Sequence, residues 1–230
     1  MTTTTTLAAS PLWYAGRAGG TTALLLLTAT VALGIAVGGK AVPLRVGRFE
    51  INLLHRNLAV LSLAFLALHI ATAVIDPYAR LTWADAVLPF GAAYRPLWLG
   101  LGSIGFDLLL AVAITSALRL RIGRRRWKAV HWLAYAAWPI GLLHAIGTGT
   151  DTRLPFQLWL YASCLATVAS ATGWRLYRAG PGHLAARLGA GLLVAALPVL
   201  VTAFLAAGPL QPGWSQRAAL HTLTALEGAR

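Results

Sequence analysis

Six histidines stand in the 230-residue chain, and four of them fall in two matched pairs. His55 and His69 are 14 residues apart in one apolar stretch, and His131 and His144 are 13 apart in another. A neutral imidazole is a good ligand for iron, and two axial imidazoles close an iron site into an electron-transfer centre. Pairing His55 with His131 and His69 with His144 gives two such centres about 20 Å apart along a helix axis. That is the arrangement of two stacked haems, one toward each face of a membrane. The lone Cys164 excludes a CxxCH attachment site, so the haems would be non-covalent, b-type. The alternative is that the histidines only hydrogen-bond between helices, although ionisable groups at such depth are by default functional.

The pairing needs the two stretches to run parallel through a bilayer, and the composition supplies one. Hydrophobic residues make up 58% of the chain and charged residues 11%, against about 45–50% and 25% in soluble domains. That excludes a soluble enzyme. Stretches of roughly 20 apolar residues, enough to span, occur at about 21–39, 51–75, 97–118, 129–148, 156–177 and 188–208. The expected fold is therefore an all-α integral membrane bundle of six transmembrane helices, with the haems between spans 2 and 4. Residues 1–20 and 209–230 are the expected tails, and 21–208 the membrane domain. The first span lacks the basic lead and cleavage site of a signal peptide. Between Asp76 and Pro96, a loop with Trp83, Pro89, Phe90 and Tyr94 suggests a short helix lying on the interface.

The net charge of +13 would suggest nucleic acid on a soluble protein. Here its positions suggest topology. The loops after spans 1, 3 and 5 hold Lys40, Arg45 and Arg48, then the block Arg119 to Lys128, then Arg175, Arg178 and Arg187; the opposite set holds half as many cations. The basic loops are thus expected in the cytoplasm and both termini outside, in the plasma membrane. Nucleic acid is set aside, and lipid is the surrounding partner.

One angle resists. Fourteen residues of ideal helix turn by about −40° and keep His55 and His69 on one face, whereas 13 turn by about −140° and separate His131 from His144. Pro139 lies between them, and a few residues of tighter 3₁₀ turn there would restore the face.

The segments His55-Arg56-Asn57 with His69, and Trp127-Lys128-x-x-His131-Trp132 with His144, resemble the ferric reductase-like transmembrane domain. That superfamily includes the membrane parts of ferric reductases and NADPH oxidases, and the haem-binding membrane subunit of the bacterial methionine sulfoxide reductase system. The resemblance covers residues 20–178, and Pro11-Leu12-Trp13-Tyr14 and Tyr94-Arg95-Pro96-Leu97-Trp98 look like actinobacterial members. It implies that the four histidines bind two haems b and that electrons move outward. The FAD and NAD(P)H domains of full reductases are not in this sequence. The chain is then expected to be the electron-transfer membrane subunit of an oxidoreductase. Its donor would be a cytoplasmic flavoprotein reductase or quinol, and FMN or FAD would sit on a partner. Its acceptor would be an extracytoplasmic redox protein, flavin, ferric iron or oxygen.

Further residues have two readings each. Arg56, Arg126 and Lys128 stand to meet the inner haem propionates, and Arg80, Arg95 or Arg153 the outer ones, or all meet lipid headgroups. Trp138, midway between His131 and His144, lies between the haems or packs opposite Ser62. Asp107, near the middle of span 3, relays protons, orients a histidine or makes a structural hydrogen bond. His183 and His221 fall in a loop and a tail. Gly100-x-Gly-x-x-Gly105 matches a dinucleotide motif in letters only, since no strand precedes it. Those glycines, with Gly34 and Gly38, suit close approach of a helix or haem instead. A haem-free transporter moving protons or metal ions is the rival function, and it leaves the matched depths unexplained.

Overall fold

The computed structural model describes residues 10–38, 47–77, 79–178 and 184–214. They form helices α1 (Pro11–Gly38), α2 (Arg48–Ile75), α3 (Pro96–Ala117), α4 (Arg119–Ile122), α5 (Arg124–His131), α6 (Ala134–Thr148), α7 (Pro155–Arg178) and α8 (Leu184–Ala207). No strand occurs among the described residues. Among the described residues, five segments are long and apolar enough to cross a membrane: Pro11–Ala36, Phe49–Ile75, Pro96–Ala117, Arg124–Thr148 and Arg187–Ala207. The expected fifth span, α7, is long enough at 24 residues, but Gln157, Ser163, Thr167, Ser170 and Thr172 dilute its apolar character. The first helix starts at Pro11, well ahead of the apolar stretch at 21.

Proline and glycine set the breaks. Asp76 is extended (φ −69°, ψ 121°) because Pro77 follows it, and α2 stops there. Pro96 opens α3 at a position where its missing N–H is no loss. Gly123, at φ 82°, separates α4 from α5. Within the helices, Thr28, Thr30, Ser62 and Thr72 return their hydroxyls to carbonyls one turn back, at 2.7–2.8 Å, which satisfies them without water.

The loop between α2 and α3 is a chain of turns, not the interfacial helix expected. Thr82 donates through both its N–H and its hydroxyl to Asp85 Oδ2, at 2.8 and 2.7 Å, and Pro89 cannot continue a helical ladder. Ser103 Oγ donates to the Asp85 carbonyl at 2.6 Å, so the loop folds back onto α3.

Helix α1 packs along α2 and also meets α6 and α7, while α3 packs along α6 and α7 meets α8. The core lies where α1, α6, α7 and α8 converge, around Leu24, Val31, Trp138, Leu142, Ile146 and Val201. Trp138 is 2% exposed, and its indole N–H donates to Thr28 Oγ1 at 2.9 Å. Tyr161 donates its hydroxyl to the Ala145 carbonyl at 3.1 Å. Helix α8 turns Leu192, Leu193, Val199 and Leu200 outward, as an apolar surface facing lipid requires.

Leu142 is fully buried and Leu200 is 63% exposed. Leu142→Ala should destabilise the fold by about 2–5 kcal/mol, as buried leucine truncations do. Leu200→Ala should stay within about 0.5 kcal/mol. Thermal unfolding of the two variants in detergent checks the contrast.

Candidate functional site

The four intramembrane histidines meet in two pairs. The ring centroids of His55 and His131 are 6.3 Å apart with planes at 65°. Those of His69 and His144 are also 6.3 Å apart, at 75°. Two imidazoles on opposite sides of one metal, each bound at about 2.0–2.1 Å, have centroids roughly 6 Å apart. Among the described residues, no three of His, Cys, Asp or Glu gather to hold a bare ion. Each pair therefore offers two axial nitrogens and leaves any remaining ligands to the group between them. The residues fit a haem at each level.

Matching depth on parallel helices brings the pairs together, and a local rewinding supplies the angle. Leu133 N–H donates to Val130, Tyr135 to Trp132 and Ala136 to Leu133, at 2.9–3.0 Å, each three residues back. Tighter turns over roughly five residues add about 100°, which converts −140° into about −40°. The rewinding was expected at Pro139 and stands one turn ahead of it. The proline ring crowds the carbonyl four residues back, so the adjustment falls on the preceding turn.

What aims each ring is its other nitrogen. His69 Nδ1 bonds the Gly16 carbonyl at 2.7 Å, His55 Nδ1 the Thr30 carbonyl at 3.1 Å, and His144 Nδ1 the Trp98 carbonyl at 2.7 Å. With a carbonyl as acceptor, Nδ1 carries the proton and Nε2 is left as the free lone pair, as in anchored metal ligands. In all three cases the residue four places after the carbonyl is glycine: Gly20, Gly34 and Gly102. A Cβ at Gly20 would come within 2.8 Å of the His69 ring, and one at Gly102 within 2.6 Å of the His144 ring. In a helix, a carbonyl points toward the side chain one turn on, so a glycine there uncovers it to a neighbouring ring. Gly34 had been expected to allow close approach, and it lies against His55. Gly20 had been passed over, although Gly20 and Gly34 repeat the 14-residue step of His55 and His69 on the antiparallel helix.

His131 differs. Its Nδ1 is buried without a hydrogen-bond partner, and its ring is flanked by that of Trp127, with centroids 5.1 Å apart.

The charged residues divide by end. Arg56, Arg126 and Lys128 are exposed at the end that holds His55 and His131. Arg125, Lys128, Ala129 and Trp132 line a groove of about 330 Å³ there. At the end that holds His69 and His144, Arg95 is buried and donates to the Gly147 carbonyl at 2.5 Å, which ties the loop to the end of α6. Arg153 donates to the Leu210 carbonyl at 2.9 Å, and Arg80 is exposed. Arg17 had been counted only as a tail charge. It pairs with Asp151, lies over the Trp13 ring, and directly follows the Gly16 that anchors His69. Its signal was present: a lone cation one turn inside a helix of spanning length. Trp138 packs from the α6 side against Thr28 of α1, and Ser62 bonds its own helix. Asp107 is half-buried and bonds none of the four histidines. His183 and His221 lie outside the described residues.

No curated protein and no solved structure matches the chain. A family model, the ferric reductase like transmembrane component, matches residues 19–142. The match takes in His55, His69 and His131 and ends two residues before His144. It covers more than half of the sequence, and the chain belongs to the ferric reductase like transmembrane family.

Proposed function

We propose that this chain carries electrons across the plasma membrane through two b-type haems, one held by His55 and His131 and the other by His69 and His144. The observation that carries the reading is the pair of identical 6.3 Å imidazole separations at two depths on α2 and α5–α6. Membership of the family supports membrane electron transfer. Each haem, when bound, supplies a one-electron iron centre. The chain's own residues do the rest: carbonyls of α1 and α3 fix the rings, and the apolar helices keep water out. Arg56 and Lys128 at one end are cations available to carboxylates of a porphyrin. Trp138, held by Thr28 on its far side, occupies the level between the two pairs.

The proposal includes six spans. Helix α7 is the sixth: it packs against both α1 and α8, and its hydroxyls at Ser163, Thr167 and Thr172 bond backbone carbonyls within the helix. With six spans both termini are outside and the block from Arg119 to Lys128 is cytoplasmic. Electrons then enter from a cytoplasmic flavoprotein or quinol and leave to an extracytoplasmic redox protein, flavin or ferric iron. The domain limits proposed are a membrane unit of 21–208 between two outer tails.

A reduced-minus-oxidised spectrum of the purified chain should report two b-type haems per polypeptide. His55→Ala should leave about one, and a chain without haem after expression with ample haem would sink the reading. Gly20→Val and Gly102→Val should cost the outer haem about 10–100-fold in affinity while sparing the inner one. Haem counts on dilution, together with the spectrum of the haem retained, test that pair.

Topology has its own test. In a Cys164→Ser background, Trp83→Cys should react with an impermeant maleimide in intact cells. Arg121→Cys should react only after the membrane is opened.

A further inference from the structure

Three of the four histidines obey one rule, and the fourth breaks it at a place the sequence identifies. On α1, the Gly16 carbonyl with Gly20 serves His69, and 14 residues on, the Thr30 carbonyl with Gly34 serves His55. On α3, the Trp98 carbonyl with Gly102 serves His144. The same step of 14 along α3 leads to the Val112 carbonyl and to position 116, which is serine. Ser116 is in the neighbourhood of the fourth histidine, because its Oγ accepts the indole N–H of Trp127 at 3.2 Å, and Trp127 flanks His131. So the helix that should uncover a carbonyl for His131 carries a side chain there instead, engaged by the tryptophan beside the ring, and the Val112 carbonyl itself accepts the Thr115 hydroxyl at 3.3 Å. The buried Nδ1 of His131 is left without an acceptor.

The backbone around His131 is also the least constrained of the four. Its residue ends α5, and the chain passes through three-residue turns before α6 begins at Ala134. The other three rings project from within continuous helices.

We infer that His131 is the exchangeable ligand of the inner centre, and that Ser116 on α3 is the reason. The inference rests on the two-haem reading of the site. An axial histidine without an acceptor on its second nitrogen is a weaker donor and is free to rotate. Loss of such an outer partner typically weakens metal binding about 10–100-fold. The inner centre therefore takes a small neutral ligand in place of His131, while the outer centre, with both rings anchored, stays closed. Ser116→Gly uncovers the carbonyl and locks the ring.

Carbon monoxide is the probe, titrated into the dithionite-reduced, haem-loaded full chain after the haems have been counted. One haem of the two should bind it, and the same one should bind it in His131→Ala. Ser116→Gly should raise the carbon monoxide concentration needed by about 10–100-fold, with the haem count unchanged. Exogenous imidazole should restore a six-coordinate spectrum to His131→Ala more readily than to His144→Ala. Two haems that both stay closed overturn the inference and leave the electron-transfer reading standing, as does carbon monoxide binding at the outer haem alone. A titration unmoved by Ser116→Gly overturns the role given to that serine. A chain that binds no haem overturns the inference and the two-haem reading together.

Discussion

An imidazole in an apolar bundle has two polar nitrogens and no water, so it can present one nitrogen inward only if the protein satisfies the other. In this chain the acceptors are backbone carbonyls of α1 and α3, already used within their own helices and holding a second lone pair. Reaching that lone pair from a neighbouring helix requires removing whatever side chain lies over it. Glycine one turn after the carbonyl does so, and it also lets the ring approach. The close packing of α1 along α2 and of α3 along α6 follows from that requirement as much as from apolar burial. Each histidine helix has a dedicated anchoring helix, and α2 and α6 present their rings toward each other without packing tightly together.

The same requirement accounts for what the sequence did and did not reveal. Four histidines at matched depths, and apolar stretches to hold them, are legible because period and composition are properties of single segments. The rewinding between His131 and His144 was legible as a need, from a 13-residue step that no ideal helix reconciles with a shared face. Its site was legible only to within a turn, because Pro139 strains the backbone before it and not at it. The anchoring carbonyls were not legible at all, since a backbone acceptor has no letter in the sequence. Their only trace is glycine, and Gly20 and Gly34 make sense only once α1 is known to lie antiparallel on α2. Helix α7 sits at the other limit. Its hydroxyls lower its apolar character as counted by residue, yet those of Ser163, Thr167 and Thr172 bond its own backbone. The loop after α2 was misjudged for a related reason: side-chain bonds between Thr82 and Asp85 competed with the helical ladder and prevailed.

The two ends of the bundle are built differently, and the difference bears on what each can do. The end that holds His69 and His144 is tied by cations that are already committed. Arg95 is spent on the Gly147 carbonyl, Arg153 on Leu210 and Arg17 on Asp151. These bonds cross between the loop, α1, α6 and the segment after α8, and they brace the helix that carries His144 and the helix whose Gly16 carbonyl anchors His69. The end that holds His55 and His131 has exposed cations at Arg56 and from Arg124 to Lys128, a groove beside them, and a histidine without an anchor. Rigidity is concentrated where both rings are fixed, and freedom where one is not.

For electron transfer that division has a physical consequence. A centre held by two anchored imidazoles changes little between oxidation states, so its reorganisation is small and its potential is set by a fixed surround. A centre with one unanchored ring would be less fixed, because the ring's orientation and donor strength are not determined by the bundle alone. The Trp127–Ser116 bond is the hinge of that difference, since it holds the indole against His131 and occupies the hydroxyl that covers the carbonyl. The break between α5 and α6, needed to bring His144 onto the face of His131, is also what leaves His131 at a helix end. The geometry that aligns the two levels is therefore the source of their inequality.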